Sequence, residues 1–296
     1  MHRSILSVPG HIAKMHIKAA SSAADVVMLD LEDSVPLSEK EAARQTVINS
    51  VNSLEWGNKL LSIRINQPGN RFVYKDIIEI IPKCAEKISS IVIPKVSTPA
   101  DIHFVEKLLE SLEDEHGITT RIVLEPSIED PQGLENVSAI AGASSRNISL
   151  VFGIADFSSA IGAKLYSISG HGENEDFYPG HRWHYVLSSI VIAAKARNLR
   201  VVDAPYGNFK DPEGLRKSAN LAAALGVDGK WAIHPDQIEI INEVFSPSPE
   251  EIERALLVVQ AHEKALAEGK SAVELEGRMI DAATIRLAKT TLGKVK

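Results

Sequence analysis

Short β-branched runs recur at residues 4–8, 25–29, 60–65, 91–94, 121–124, 148–152, 200–203 and 230–233, and each gap has room for a helix. The intervening segments carry apolar residues at helical spacing, as at Ile102, Val105, Leu108, Leu109 and Leu112, or Val186, Leu187, Ile190, Val191 and Ala194. Strands that follow one another in parallel need a crossover between them. Strand and helix alternating eight times therefore predict an α/β fold, a closed (β/α)8 TIM barrel. An open doubly wound sheet would need fewer strands and a glycine-rich first turn, and neither Gly-x-Gly-x-x-Gly nor a phosphate-binding P-loop occurs.

The barrel is expected over residues 1–245. Beyond Phe245, Ser-Pro-Ser-Pro249-Glu-Glu reads as a helix start, with proline at its entry and acids at the positive end of the helix dipole. Residues 246–296 then form a C-terminal helical appendage, too small to fold well alone, that must pack on its own barrel or on a neighbouring subunit. The segment 167–180 reads as the most mobile loop. A net charge of −7 with no Lys/Arg block argues against nucleic-acid binding, and strand-sized apolar runs argue against a membrane span. A single cysteine, Cys84, leaves no internal disulfide, and the first residues lack the apolar stretch of a signal peptide, so a reducing cytoplasm is expected.

Loops at the carboxyl ends of parallel strands converge on one mouth. The polar residues just past the expected strands are Asp30, Glu32, Asp33, Arg64, Lys95, Glu129, Asp156, Asp203 and His234. Glu129 and Asp156 fall in successive units, and two hard oxygen ligands suit Mg²⁺, with Mn²⁺ as a substitute, leaving positions open for the carboxylate and carbonyl of an α-keto acid. The competing reading is that each acid only caps the helix after it. Arg64 has the fork geometry to stabilise an enolate or carbonyl oxyanion, and its structural alternative is a salt bridge to Asp30 or Glu32. Glu125 competes with Glu129 as a ligand, and otherwise groups with Asp33, Lys95 and His234 as supporting residues at the barrel mouth. His11, His171, His181 and His184 lack metal-ligand spacing, and Trp231 reads as core.

The motifs Arg3-Ser-x-Leu-x-Val-Pro-Gly10, Ala24-Asp-Val-Val-x-Leu-Asp-Leu-Glu-Asp-Ser-Val35, Ser62-Ile-Arg-Ile-Asn66, Ile93-Pro-Lys95, Ile128-Glu129 leading to Gly133, Gly153-Ile-Ala-Asp156-Phe, Gly229-Lys-Trp-Ala-Ile-His-Pro-Asp-Gln237, Asn242-Glu-Val-Phe-Ser-Pro247 and Gly277-Arg-Met-Ile-Asp281 run through nearly the whole chain. Together they resemble the citrate lyase β-subunit-like (HpcH/HpaI aldolase) family, and within it the malyl-CoA and β-methylmalyl-CoA lyases. The resemblance implies a (β/α)8 barrel, a homotrimer or homohexamer, and a Mg²⁺-dependent lyase. Its substrates would be an acyl-CoA thioester and a glyoxylate-like α-keto acid. It implies Glu129 and Asp156 as metal ligands, Arg64 on the glyoxylate portion and the thioester oxygen, and Asp281 as the catalytic base delivered into a neighbouring subunit's site. Asp281 read without the resemblance is the N-cap of the last helix.

For CoA, the resemblance implies Lys18 on the nucleotide phosphates, Ser7 beside the adenine region, and Ala204 and Pro205 at the thioester end. Ile12 stands where close relatives carry an arginine, so one phosphate contact is absent from the pattern. The alternatives are a malyl-CoA thioesterase, a CoA-independent class II-type aldolase acting on hydroxy-keto acids, and a non-enzymatic subunit of a larger complex. A pure scaffold has no physical need for Glu129, Asp156, Arg64 and Asp281 together.

Overall fold

The computed structural model describes residues 2–164, 182–267, 273–275 and 277–295, with only the backbone at Val273 and Arg278. The loop expected at 167–180, with His171 and His181, lies outside the described residues. Two compact units divide the chain, residues 2–241 and 242–296. The boundary falls four residues before the expected start of the appendage at 246, inside a continuous helix, Ile238–Val244.

In the first unit, β1 (Ser4–Pro9), β2 (Val26–Asp30), β3 (Leu60–Arg64), β4 (Ser90–Ile93), β5 (Val123–Ile128), β6 (Ser149–Phe152), β7 (Arg200–Asp203) and β8 (Gly229–Ala232) pair in parallel and close as a barrel in chain order. The helices alternate with them: α1 (Ala13–Ala20), α2 (Lys40–Ser53), α3 (Val73–Cys84), α4 (Pro99–His116), α5 (Pro131–Glu135), α6 (Val137–Ala141), α7 (Ile154–Ala160), α8 (His184–Lys195), α9 (Pro212–Ala224) and α10 (Ile238–Val244). α4 shows how local sequence sets such an element. Thr98 and Asp101 form a reciprocal capping box, Pro99 fills the first turn, and Gly117 ends the helix at φ 63°. α8 contains the whole apolar set Val186, Leu187, Ile190, Val191 and Ala194, and Asn198 beyond it adopts a left-handed φ of 57°.

Ile5, Val26, Met28, Val92, Val151, Val202 and Trp231 form the apolar cluster that fills the barrel. Side chains alternate along a strand, so residues two apart share the interior, and β5 with the residue after it sends Glu125, Ser127 and Glu129 inward at three heights. The expected strand at 121–124 was misplaced: β5 continues to Ile128 through Pro126. The proline is tolerated because Leu124 bonds toward β6 through both its N–H and its carbonyl, and Pro126, two residues on, would direct its missing N–H to that same side. There the ladder is already interrupted between the Leu124–Asn147 bridge and Ser127–Val151.

The second unit contains α11 (Pro249–Ala267), an antiparallel pair β9 (Val273–Leu275) and β10 (Arg278–Ile280), and α12 (Ala282–Leu292). Ala255, Val258, Ile280, Ile285 and Ala288 give it a small core of its own. Among the described residues no helix is long and apolar enough to cross a membrane.

Candidate active site

The charged residues at the barrel mouth are organised from Asp30, the last residue of β2. Its wholly buried carboxylate accepts the backbone N–H of Glu32 at 2.9 Å and of Ser34 at 3.2 Å, which folds the following turn around it. It also receives Arg64 Nε and Nη2, both at 2.7 Å. Burial opposes the charge on Asp30, but the guanidinium and these donors outweigh it and hold the carboxyl below the ordinary range. Arg64 Nη1 lies 3.2 Å from Glu32, and the guanidinium stands 5.5 Å over the Trp231 ring. Trp231 is therefore core and also the platform beneath Arg64. Burial works against the Arg64 cation, yet its attraction to Asp30 prevails and its pKa is raised.

Glu129 follows β5 and is 2% exposed. Burial pushes its carboxyl up to about 7, against the attraction of Arg64 and with repulsion from Glu32 and Asp156 adding to the rise. Ion pairs join the neighbouring charges: Arg64 and Lys95 both reach Glu32, and Lys95 also approaches Asp156. Glu129 Oε2 is buried without a hydrogen-bond partner. The side chain occupies room supplied by Gly153, where an added Cβ would lie 2.3 Å from Glu129 Cγ and 2.6 Å from Oε1. Asp156 sits in the first turn of α7 with its side chain 41% exposed and Oδ2 3.7 Å from Lys95 Nζ. Lys95 also bonds Glu32 Oε1 at 2.5 Å and Asp33 Oδ2 at 2.8 Å.

Among the described residues no three His, Cys, Asp or Glu side chains converge closely enough to hold a metal by themselves. One orphaned buried carboxylate oxygen beside a partly exposed carboxylate nevertheless fits Mg²⁺, which commonly takes one or two protein carboxylates and completes its shell with water and substrate oxygens.

Other expected site residues fall on β1, on α1, in the turn after β7 and in the second unit. Ser7 is half-buried on the Ile5 face of β1, nearer the mouth, while Lys18 is exposed on α1 and Ile12 stands at that helix's N-cap. Pro205 is half-buried, but Ala204 is wholly buried and offers no side-chain surface to a ligand. Asp281, in the second unit, is exposed and caps α12: Oδ1 accepts Ala283 N at 3.0 Å, Thr284 N at 2.8 Å and Thr284 Oγ1 at 2.9 Å. The bonds from Thr284 lead in holding its carboxyl below the usual range.

Two expectations are corrected. Glu125 does not compete with Glu129: it lies two inward steps lower, about 13 Å along the strand, bonded to Ser90 and Ser149 at the barrel floor. Asp203 does not open to the mouth. It pairs with Lys230 behind the wall, both fully buried, because Val202 and Trp231 take the interior positions. His234 caps the turn at Asp236 and stacks on Phe209 with ring centroids 4.8 Å apart. The salt bridge of Arg64 to Asp30 or Glu32, the structural alternative read from the sequence, is formed to both acids, and it fixes the direction in which the guanidinium points.

A family model described as "HpcH/HpaI aldolase/citrate lyase" matches residues 3–235. The L-malyl-CoA/beta-methylmalyl-CoA lyase of Rhodobacter capsulatus is 40% identical, over 98% of this chain and 93% of its own length. The malyl-CoA/beta-methylmalyl-CoA/citramalyl-CoA lyase of Chloroflexus aurantiacus is 34% identical, over 95% and 84%. Among solved structures, protein CitE from Mycobacterium tuberculosis, in complex with magnesium, acetoacetate and coenzyme A, superposes with a TM-score of 0.78 at 26% identity, over 99% of this chain and 97% of that one.

Proposed function

The chain belongs to the HpcH/HpaI aldolase/citrate lyase family, and on that footing we propose that it is a Mg²⁺-dependent acyl-CoA lyase. It would cleave or form malyl-CoA-type thioesters, with glyoxylate and acetyl-CoA or propionyl-CoA as the partners across the bond. The observation that carries this reading is the run of ion pairs from Arg64 to Glu32 at 3.2 Å, Glu32 to Lys95 at 2.5 Å and Lys95 to Asp156 at 3.7 Å, with the Glu129 side chain packed on Gly153 and its buried Oε2 unpartnered.

In this reading Glu129 and Asp156 hold the cation. Mg²⁺ bound there supplies Lewis-acid polarisation to an α-keto acid. Arg64 has five N–H donors, and three of them face Asp30 and Glu32, so two remain that could serve an oxyanion. In cleavage, the C3 hydroxyl of malyl-CoA loses its proton and the C–C bond breaks. Its electron pair passes to the thioester, giving the enolate that Arg64 steadies, and the protonated form of Asp281 would then return a proton to carbon. In synthesis the thioester methyl must lose a proton, and Asp281 is the proposed base. All three cap contacts fall on its Oδ1, so Oδ2 lies outside the cap. Residues 242–296 would carry Asp281 into a neighbouring subunit's site in a homotrimer or homohexamer. Lys18, Ser7 and Pro205 are the proposed CoA contacts.

The test is to incubate the purified protein and Mg²⁺ with malyl-CoA, trapping glyoxylate as its phenylhydrazone and following free thiol in parallel. Glyoxylate without thiol is expected. Thiol with malate would replace the reading with hydrolysis, and turnover of free hydroxy-keto acids alone would replace it with a CoA-independent aldolase.

A further inference from the structure

The geometry points to Lys95 as a built-in counter-ion of the cation site, competing with the divalent ion for Asp156 and so setting how tightly the ion binds before substrate arrives. This inference rests on the reading of Glu129 and Asp156 as ligands.

The backbone at Lys95 is left-handed, φ 51°, a conformation that residues with a long side chain seldom adopt. It persists because its neighbours fix it. Val96 N–H, the next donor, bonds the Ser127 carbonyl of β5 at 3.1 Å, and no Cβ would fit at Gly133, 2.4 Å from the Val96 carbonyl oxygen. Strain held this way clusters where a side chain must be aimed. Here it sends an ammonium from the end of β4 across to the β2 turn and to α7. Two of its contacts are full hydrogen bonds, to Glu32 and Asp33. The third, to Asp156 at 3.7 Å, is longer than a hydrogen bond and works through charge alone. A contact of that kind is the one an incoming cation displaces at least cost, while Glu32 and Asp33 keep the ammonium nearby.

The consequence is electrostatic. With a divalent ion on Asp156, the Lys95 charge faces it across a few ångströms and opposes it, and an anionic substrate relieves that opposition. Lys95 thus acts as a brake on binding of the metal alone.

The experiment is Mn²⁺ titration of the full chain, without substrate, read by the electron paramagnetic resonance of the free ion. Lys95→Met keeps the stem and the left-handed backbone and removes the charge, so Mn²⁺ should bind about tenfold tighter, as expected for one unit charge against a divalent ion at the protein surface. Lys95→Arg keeps the charge and should stay within about twofold of wild type by the same reasoning. Lys95→Gln replaces the Met variant if thermal melting shows the latter unfolded. Unchanged or weaker Mn²⁺ binding by the charge-removed variant, while Asp156→Asn still abolishes binding, overturns the counter-ion and leaves the ligand assignment standing. Binding by Asp156→Asn equal to wild type overturns the ligand assignment itself, and the inference with it.

Discussion

Gly153→Ala is the sharpest probe of how the fold makes room for chemistry. The added methyl carbon would stand 2.3 Å from Glu129 Cγ and 2.6 Å from its Cδ, whereas ordinary carbon contacts lie at about 3.5–4.0 Å. Glu129 must retreat by about 1–1.5 Å, because Gly153 is tied through its N–H to the Ile128 carbonyl at 3.0 Å and cannot move independently of β5. Overpacking of this kind costs about 1–3 kcal/mol, or roughly 2–10 °C of melting temperature for a domain of this size. The functional loss should be larger than the loss of stability. A catalytic group displaced by about 1 Å can lower turnover by ~10²-fold, and Mn²⁺ affinity should fall in parallel. Gly57→Ala is the control, since that glycine has φ 60° with nothing within 4 Å of an added Cβ, and it should cost backbone strain alone. Melting, Mn²⁺ titration and malyl-CoA cleavage on both variants decide the matter. Wild-type Mn²⁺ affinity and turnover in Gly153→Ala would refute the argument that this glycine exists to seat Glu129.

Glu129→Gln and Asp156→Asn should each abolish Mg²⁺-dependent cleavage while leaving the circular dichroism spectrum unchanged; wild-type turnover in either would remove that residue from the ligand set. Asp281→Asn preserves an excellent N-cap for α12 and removes only the charge, so acyl-CoA binding should persist while exchange of the thioester α-protons with D₂O stops. An unchanged exchange rate would show that the base lies elsewhere. Burial pushes the Cys84 thiol up to about 11, above the value of an unfolded thiol, so the folded state favours the protonated form. Its contribution is complete below pH ~8.5–9 and is lost as the pH rises toward 11, amounting to about 2–3 kcal/mol. Urea unfolding between pH 8 and 11 should therefore show a steeper loss of stability in wild type than in Cys84→Ala, and parallel curves would count against it.

Much of the architecture was legible because a parallel barrel repeats one local instruction. Each β-branched run followed by a helix of 3.6 periodicity specifies a strand and its return, and the order of the strands then follows from right-handed connection alone. The same logic made Arg64, Glu129 and Asp156 readable as mouth residues. It failed at Glu125, because the expected strand ends at 124 while β5 continues through Pro126 to Ile128, which puts Glu125 at the floor and not at the mouth. It failed again at Asp203, because which face of a strand looks inward depends on register against both neighbours.

The sequence by itself therefore determined the fold class, the family and the short list of charged side chains from which any site must be drawn, since those depend on periodicity and on residue type. Tertiary structure alone decided which charges meet. Asp30 aims Arg64 from the adjoining strand, Gly153 yields its space to Glu129 from the next loop, and Lys95 turns its backbone left-handed to reach acids on two other elements. These are contacts between residues far apart in the chain, fixed by barrel closure, and nothing in local propensity encodes them.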